Sequence, residues 1–182
     1  MKFAFSRRGL WKFAPLALPW SRQAVAQPVA TVSDTFPAHP FEMVRETVSV
    51  AHGNVKRVKE LVDARPALCR AAVDWGFGDW EDALGAASHV GNREIAEYLI
   101  AHGARPTLFS ATMLGQLDVV KSMIAAQPGA QRIPGPHSIS LLAHAKAGGK
   151  TAESVFQYLE SLGDAGSPKA APFTPEQATA LA

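Results

Sequence analysis

The chain has 182 residues, 47% of them hydrophobic and 19% charged, which is enough apolar material for one domain with its own core and too much for a disordered protein. Its formal charge of +2 is unevenly placed. Residues 1–26 hold five basic side chains and no acid, so thirteen Lys+Arg face sixteen Asp+Glu in the remainder, a net −3 that argues against nucleic-acid binding. A single cysteine, Cys69, excludes an internal disulfide and any Cys-based zinc site.

In chain order, the first element is Ser6-Arg7-Arg8-Gly9-Leu10-Trp11-Lys12, followed by a short apolar stretch interrupted by proline and then by Ser21-Arg22-Gln23-Ala24-Val25-Ala26. The uncharged run Phe13–Ser21 is far too short to span a bilayer. Arg7 and Arg8 with their flanking Ser6 and Lys12 resemble the twin-arginine export signal of bacteria. Ala24 and Ala26 form the small-x-small pattern of a signal-peptidase site, with cleavage between Ala26 and Gln27. The resemblance implies an address read by a receptor and a periplasmic or secreted location. Residues 27–40, with Pro28, Pro37 and Pro40 and no helical period, read as a linker.

From residue 41 the chain repeats. Counting from Gly91, apolar residues fall at Ile95, Ala96, Leu99 and Ile100; counting from Gly115, at Val119, Val120, Met123 and Ile124; counting from Gly53, at Val58, Leu61 and Val62 with Arg57 in the first slot. Positions four apart share one helical face, so each unit predicts a short amphipathic helix with one buried stripe. A helix rich in small residues precedes Gly91 (Ala83–Ser88) and another precedes Gly115 (Leu108–Leu114), each ended by the glycine.

The segment Ala87-Ser88-His89-Val90-Gly91-Asn92-Arg93-Glu94-Ile95-Ala96-Glu97-Tyr98-Leu99-Ile100-Ala101-His102-Gly103-Ala104 resembles the core of an ankyrin repeat, and Thr112–Lys121 resembles the same segment one unit later. The family's Thr-Pro-Leu-His opening is replaced by Asp82-Ala83-Leu84-Gly85 and by Pro106-Thr107-Leu108-Phe109. Asp82 can still cap its helix, but the usual hydroxyl–histidine bonding cannot form. The glycine spacings are 38, 24 and 33 residues (Gly53, Gly91, Gly115, Gly148), against a family period of about 33. The first connection is therefore long, and the second has lost its projecting hairpin. In the fourth unit, Val155, Phe156 and Leu159 fall into phase once Gly148-Gly149-Lys150 is allowed an insertion. The resemblance implies an all-α helical solenoid of about four divergent helix-turn-helix units over residues 41–163. Arg57 and Glu46, polar where the family is apolar, suit a capping unit whose outer face meets water. Residues 164–182 form a Pro/Ala-rich tail in which Thr174-Pro175-Glu176-Gln177 predicts a short closing helix.

Candidate functional residues concentrate in Asp74-Trp75-Gly76-Phe77-Gly78-Asp79-Trp80-Glu81-Asp82, within the long first connection. In ankyrin-like proteins this connection is the finger beside the concave face where partners dock. Aromatics flanked by acids suit a binding hot spot, which nominates Asp74, Trp75, Phe77, Asp79, Trp80 and Glu81 as partner-binding residues. The alternative is that the aromatics fold inward and seal the stacking of the first two units. His52 and His89, one and two residues before their glycines, are candidates for a ligand-binding face. No HxxxH or acid-paired spacing places two metal ligands on one helix, so structural roles are expected for the histidines, with no metal site and no cofactor. His102 suits the dipole at a helix C-terminus. No GxSxG, phosphate loop or GxGxxG-plus-helix pattern occurs, and Cys69 between Leu68 and Arg70 predicts a buried thiol rather than a nucleophile. The expectation is an exported, non-enzymatic module, monomeric in isolation, that binds a partner protein. The alternative is a periplasmic protein that binds a small ligand or a metal.

Overall fold

The computed structural model describes residues 38–166, which are mainly helical. The export signal with Arg7, Arg8, Ala26 and Gln27, most of the 27–40 linker and the closing helix at Thr174 lie outside the described residues.

Eight α-helices occur among these residues, in four consecutive pairs: α1 Phe41–Val50 with α2 Val55–Ala64, α3 Ala83–His89 with α4 Arg93–Ala101, α5 Leu108–Met113 with α6 Leu117–Ala126, and α7 Leu141–Ala147 with α8 Glu153–Leu162. Their starts are written in short polar side chains that accept from the first free N–H groups. Asn54 accepts from Arg57, Asp82 from Gly85, Asn92 from Ile95 and Ser140 from Ala143, while Thr107 and Ser110 form a reciprocal capping box. Asp82 and Thr107 thus cap α3 and α5 locally.

The first helices of the pairs pack in succession, α1 on α3, α3 on α5 and α5 on α7. Small residues permit this closeness: all of Ala83–Ser88 is buried. Gly91 and Gly115, both at φ +76°, turn the chain out of α3 and α5. A methyl group at Gly91 would lie 2.2 Å from the Ala147 carbonyl oxygen, so this glycine serves both the left-handed turn and a backbone-to-backbone approach. Arg93, at the start of α4, adds a polar tie by donating to the Leu114 carbonyl and to Thr151 Oγ1.

Two apolar clusters fill the interior. Val48, Val58, Val62, Leu84, Ile95, Leu99 and Met113 belong to the first, and Leu108, Val120, Ile124, Leu141, Val155 and Leu159 to the second. Each fully buried Val, Leu or Ile contributes roughly 1.5–3 kcal/mol of transfer free energy. The predicted stripes hold in α2 and α4 but only in half of α6. Val120 and Ile124 are buried there, whereas Val119 and Met123 are 45% and 42% exposed. α6 packs on α5 and α8.

The polar intruders of the first pair satisfy one another, since Arg57 Nε donates to Glu46 Oε1 at 2.7 Å and Nη1 to Glu60 at 3.0 Å. In the last pair a 3-10 turn, Gly149–Ala152, leads into α8, where Val155 and Leu159 are buried. The long first connection contains a 3-10 turn, Pro66–Arg70, and the strands β1 Ala72–Asp74 and β2 Trp80–Asp82. They pair antiparallel with Ala72 opposite Asp82, Val73 opposite Glu81 and Asp74 opposite Trp80. None of the described helices is long and apolar enough to cross a membrane.

Candidate functional site

Strand alternation decides what the hairpin shows and what it hides. On β2, Trp80 faces outward and is 63% exposed, whereas Glu81 faces inward and is fully buried. A half-buried strand ordinarily places an apolar residue in that slot, as β1 does with Val73. The turn between the strands is held by local bonds: Asp74 Oδ1 accepts from Gly76 N at 2.9 Å, and Trp75 N donates to the Asp79 carbonyl at 3.0 Å. Gly76, Phe77 and Gly78 are all left-handed, with Phe77 at φ +54° and 70% exposed. Of the six residues nominated for docking, Phe77 and Trp80 therefore stand outward with Asp74 beside them. Trp75 is half-buried against the first apolar cluster under the Arg45 guanidinium, and Glu81 is inaccessible to a docking protein.

Beneath the turn, five side chains meet. Trp75 Nε1–H donates to Glu81 Oε2 at 2.8 Å. The other carboxylate oxygen, Oε1, lies 3.5 Å from His52 Nε2, 3.3 Å from His89 Nδ1 and 3.4 Å from His137 Nε2. None of these contacts is a formed hydrogen bond, and Glu81 Oε1 and His89 Nδ1 are both buried without a partner. The His52 and His89 rings are 4.8 Å apart and those of His89 and His137 5.7 Å apart.

The outer nitrogens of two of these rings are engaged. His52 Nδ1 lies 3.0 Å from the Ser49 carbonyl oxygen, which can only accept, so Nδ1 carries the proton. His137 Nδ1 likewise donates to Asp79 Oδ2 at 2.8 Å, while its backbone N–H donates to Asp79 Oδ1 at 2.8 Å. In the neutral form of each ring the lone pair is on Nε2, the nitrogen that faces the Glu81 oxygen. His137 and Ser138 both adopt positive φ, +56° and +58°, and such non-glycine strain concentrates at sites where geometry is imposed by function.

Burial, reinforced by the neighbouring His52, His144 and His137 imidazoles, pushes His89 down to about 4. Behind it, His144 donates from Nδ1 to the Ser140 carbonyl at 2.9 Å and packs on Phe109, and burial lowers it as well. His102 belongs to a separate arrangement: its ring lies on Tyr98 at 4.0 Å and Nδ1 meets the Tyr98 carbonyl oxygen at the end of α4. Cys69 is buried, with Sγ donating to the His102 carbonyl at 3.1 Å.

The structure therefore brings His52 and His89 together, as a shared face would require, and joins to them Glu81 and His137. These residues come from the turn after α1, from β2, from the end of α3 and from the loop before α7, so no short spacing links them. His137 was not recognisable as a partner from its surroundings in the sequence. The one local signal was an acid in an inward strand position. No known protein family matches the chain, and neither the curated proteins nor the solved structures hold a match to it.

Proposed function

We propose that the chain is an exported, ankyrin-type recognition module of about four helix-pair units that binds a partner protein without catalysing a reaction on it. The observation that carries this reading is the hairpin tip, where Phe77 and Trp80 are 70% and 63% exposed on a turn braced by Asp74 and anchored through Trp75 to a buried carboxylate. Large aromatics held rigidly in solvent lose little entropy on contact and are the residues that dominate protein interfaces. With Asp74 beside them, they complement a surface that offers an apolar patch and arginine or lysine side chains, through ion pairing and cation–π contact. The succession of packed helix pairs with short turns supports the repeat assignment, and the paired arginines at Arg7 and Arg8 support export.

The test is in-cell crosslinking of the full-length protein followed by separation of periplasm from cytoplasm. The expected result is a periplasmic form beginning at Gln27 and a crosslinked partner whose recovery falls at least tenfold in the Trp80→Ala and Phe77→Ala variants. Equal recovery with both variants would overturn the assignment of the tip, and retention of uncleaved protein in the cytoplasm would overturn the export reading.

A further inference from the structure

Beyond partner binding, and independently of it, we propose that His52, His89, His137 and Glu81 form a closed four-ligand site for a divalent transition-metal ion, zinc or a close neighbour such as cobalt or nickel, at the base of the hairpin.

The first support is the shape of the donor set. Zinc bonds to imidazole nitrogen and carboxylate oxygen at about 2.0–2.2 Å in tetrahedral array, so two ligand atoms on one ion lie about 3.3–3.5 Å apart. The three separations from Glu81 Oε1, to His52, His89 and His137, are 3.5, 3.3 and 3.4 Å. The donor atoms of His52, Glu81 and His137 all lie within 4.8 Å of one another, and His89 joins them through its 3.3 Å approach to Glu81 Oε1. Rings on a common tetrahedral ion sit with centroids on the order of 5 Å apart by the same bond lengths. The observed 4.8 and 5.7 Å bracket that value.

The second support is that the contacts make poor sense without a cation. A carboxylate paired with an imidazolium normally closes to about 2.7–2.9 Å. Here three nitrogens stand off at 3.3–3.5 Å, leaving Glu81 Oε1 and His89 Nδ1 buried and unpartnered. A metal ion placed among the four lone pairs satisfies all of them at once.

The third support is the outer layer. Metal-bound histidines almost always donate their other ring nitrogen to a carboxylate or a backbone carbonyl, which fixes the ring and the tautomer. His137 does so to Asp79 and His52 to the Ser49 carbonyl, while Trp75 holds the second oxygen of Glu81. The His52 and His137 side chains are 34% and 36% exposed, which gives an ion a path in from solvent. Four protein ligands leave no open coordination position, so the ion is structural rather than catalytic. It would pin the hairpin to the turn after α1, to the end of α3 and to the loop before α7.

The experiment is titration of tag-free, chelator-stripped full-length protein with Zn²⁺ by calorimetry and with Co²⁺ by absorption. The expected result is one ion per chain, intense Co²⁺ bands of a tetrahedral site, and loss of affinity of roughly 100-fold or more in each of Glu81→Gln, His52→Ala and His137→Ala, beyond the 10–100-fold expected for the outer-layer Asp79→Asn. His102→Ala, remote from the set, leaves binding unchanged. Circular dichroism shows which variants fold, and His52→Gln and His137→Gln, at half-exposed positions, replace any that do not. Absence of stoichiometric binding, octahedral cobalt spectra, or wild-type affinity in the folded Glu81→Gln and His137→Gln variants would each overturn the proposal.

Discussion

Replacing Glu81 by glutamine gives opposite results with and without metal, and the opposition is what makes the variant informative. In metal-free protein the carboxylate is fully buried and takes one hydrogen bond, from Trp75. Glutamine keeps that bond through its carbonyl oxygen, at a loss of about 1–2 kcal/mol because the acceptor is no longer charged. Against this, the effective cost of burying a carboxylate is several kcal/mol and is removed. The new amide N–H groups also find His52, His89 and His137 nitrogens 3.3–3.5 Å away. The balance is a variant as stable as the parent or more stable by about 1–2 kcal/mol, an increase of roughly 2–8 °C in melting temperature for a unit of this size. With Zn²⁺ at a hundred times its Kd the parent gains about 2.7 kcal/mol and the variant, binding roughly 100-fold more weakly or worse, gains at most about 0.4 kcal/mol, so the order reverses. Thermal melting by circular dichroism at pH 7.5, with chelator and then with metal, reads both. A Glu81→Gln protein that melts more than about 5 °C below the parent in chelator would instead make the Glu81 carboxylate a net stabilising tie in the metal-free protein.

Three further outcomes follow from named contacts. Gly91→Ala meets a left-handed backbone at φ +76° and the Ala147 carbonyl oxygen at 2.2 Å, and should lose at least ~2 kcal/mol in urea denaturation; an unchanged midpoint would contradict the close approach of α3 and α7. Trp75→Phe removes the N–H that Glu81 accepts and should cost about 1–3 kcal/mol, whereas Trp80→Ala, on the exposed side of the same hairpin, should stay within about 0.5 kcal/mol of the parent; equal losses would contradict the inward and outward assignment. In metal-free protein His89, pushed down to about 4, and His144, also pushed down, are favoured neutral in the folded state, so unfolding takes up protons below the unfolded value near 6.5. The groups facing them are Glu81, His52, His137 and His144 around His89, and His89, Phe109 and the Ser140 carbonyl around His144. Their stabilisation is complete above about pH 6.5 and is lost as pH falls towards 4. Melting temperature should therefore decline over that window, and a rise would contradict the burial argument.

Much of the fold was legible because the forces that set it are local. The four-residue periodicity of Val58/Val62 and Ile95/Leu99, the glycines after α3 and α5, and the capping Asp82 each act within one or two turns of chain. The failure in α6 is instructive: Val119 and Met123 satisfy the same period as Ile95 and Leu99, but a stripe is buried only where another element covers it. Arg57 and Glu46 were legible singly as intruders and not as partners, because they lie eleven residues apart on different helices. The candidate metal site was illegible for the same reason on a larger scale. His52 and His137 are 85 positions apart in the sequence, and only the succession of α1, α3, α5 and α7 brings their loops to one place. His52 and His89 did carry a faint signal, since each stands just before a turn glycine and α1 packs on α3.

The most direct test of the central claim is X-ray absorption at the zinc edge on protein loaded with one equivalent of Zn²⁺. The expected result is a four-coordinate nitrogen and oxygen shell at about 2.0–2.1 Å with outer scattering from three imidazoles. A six-coordinate shell, or one without imidazole scattering, would contradict it.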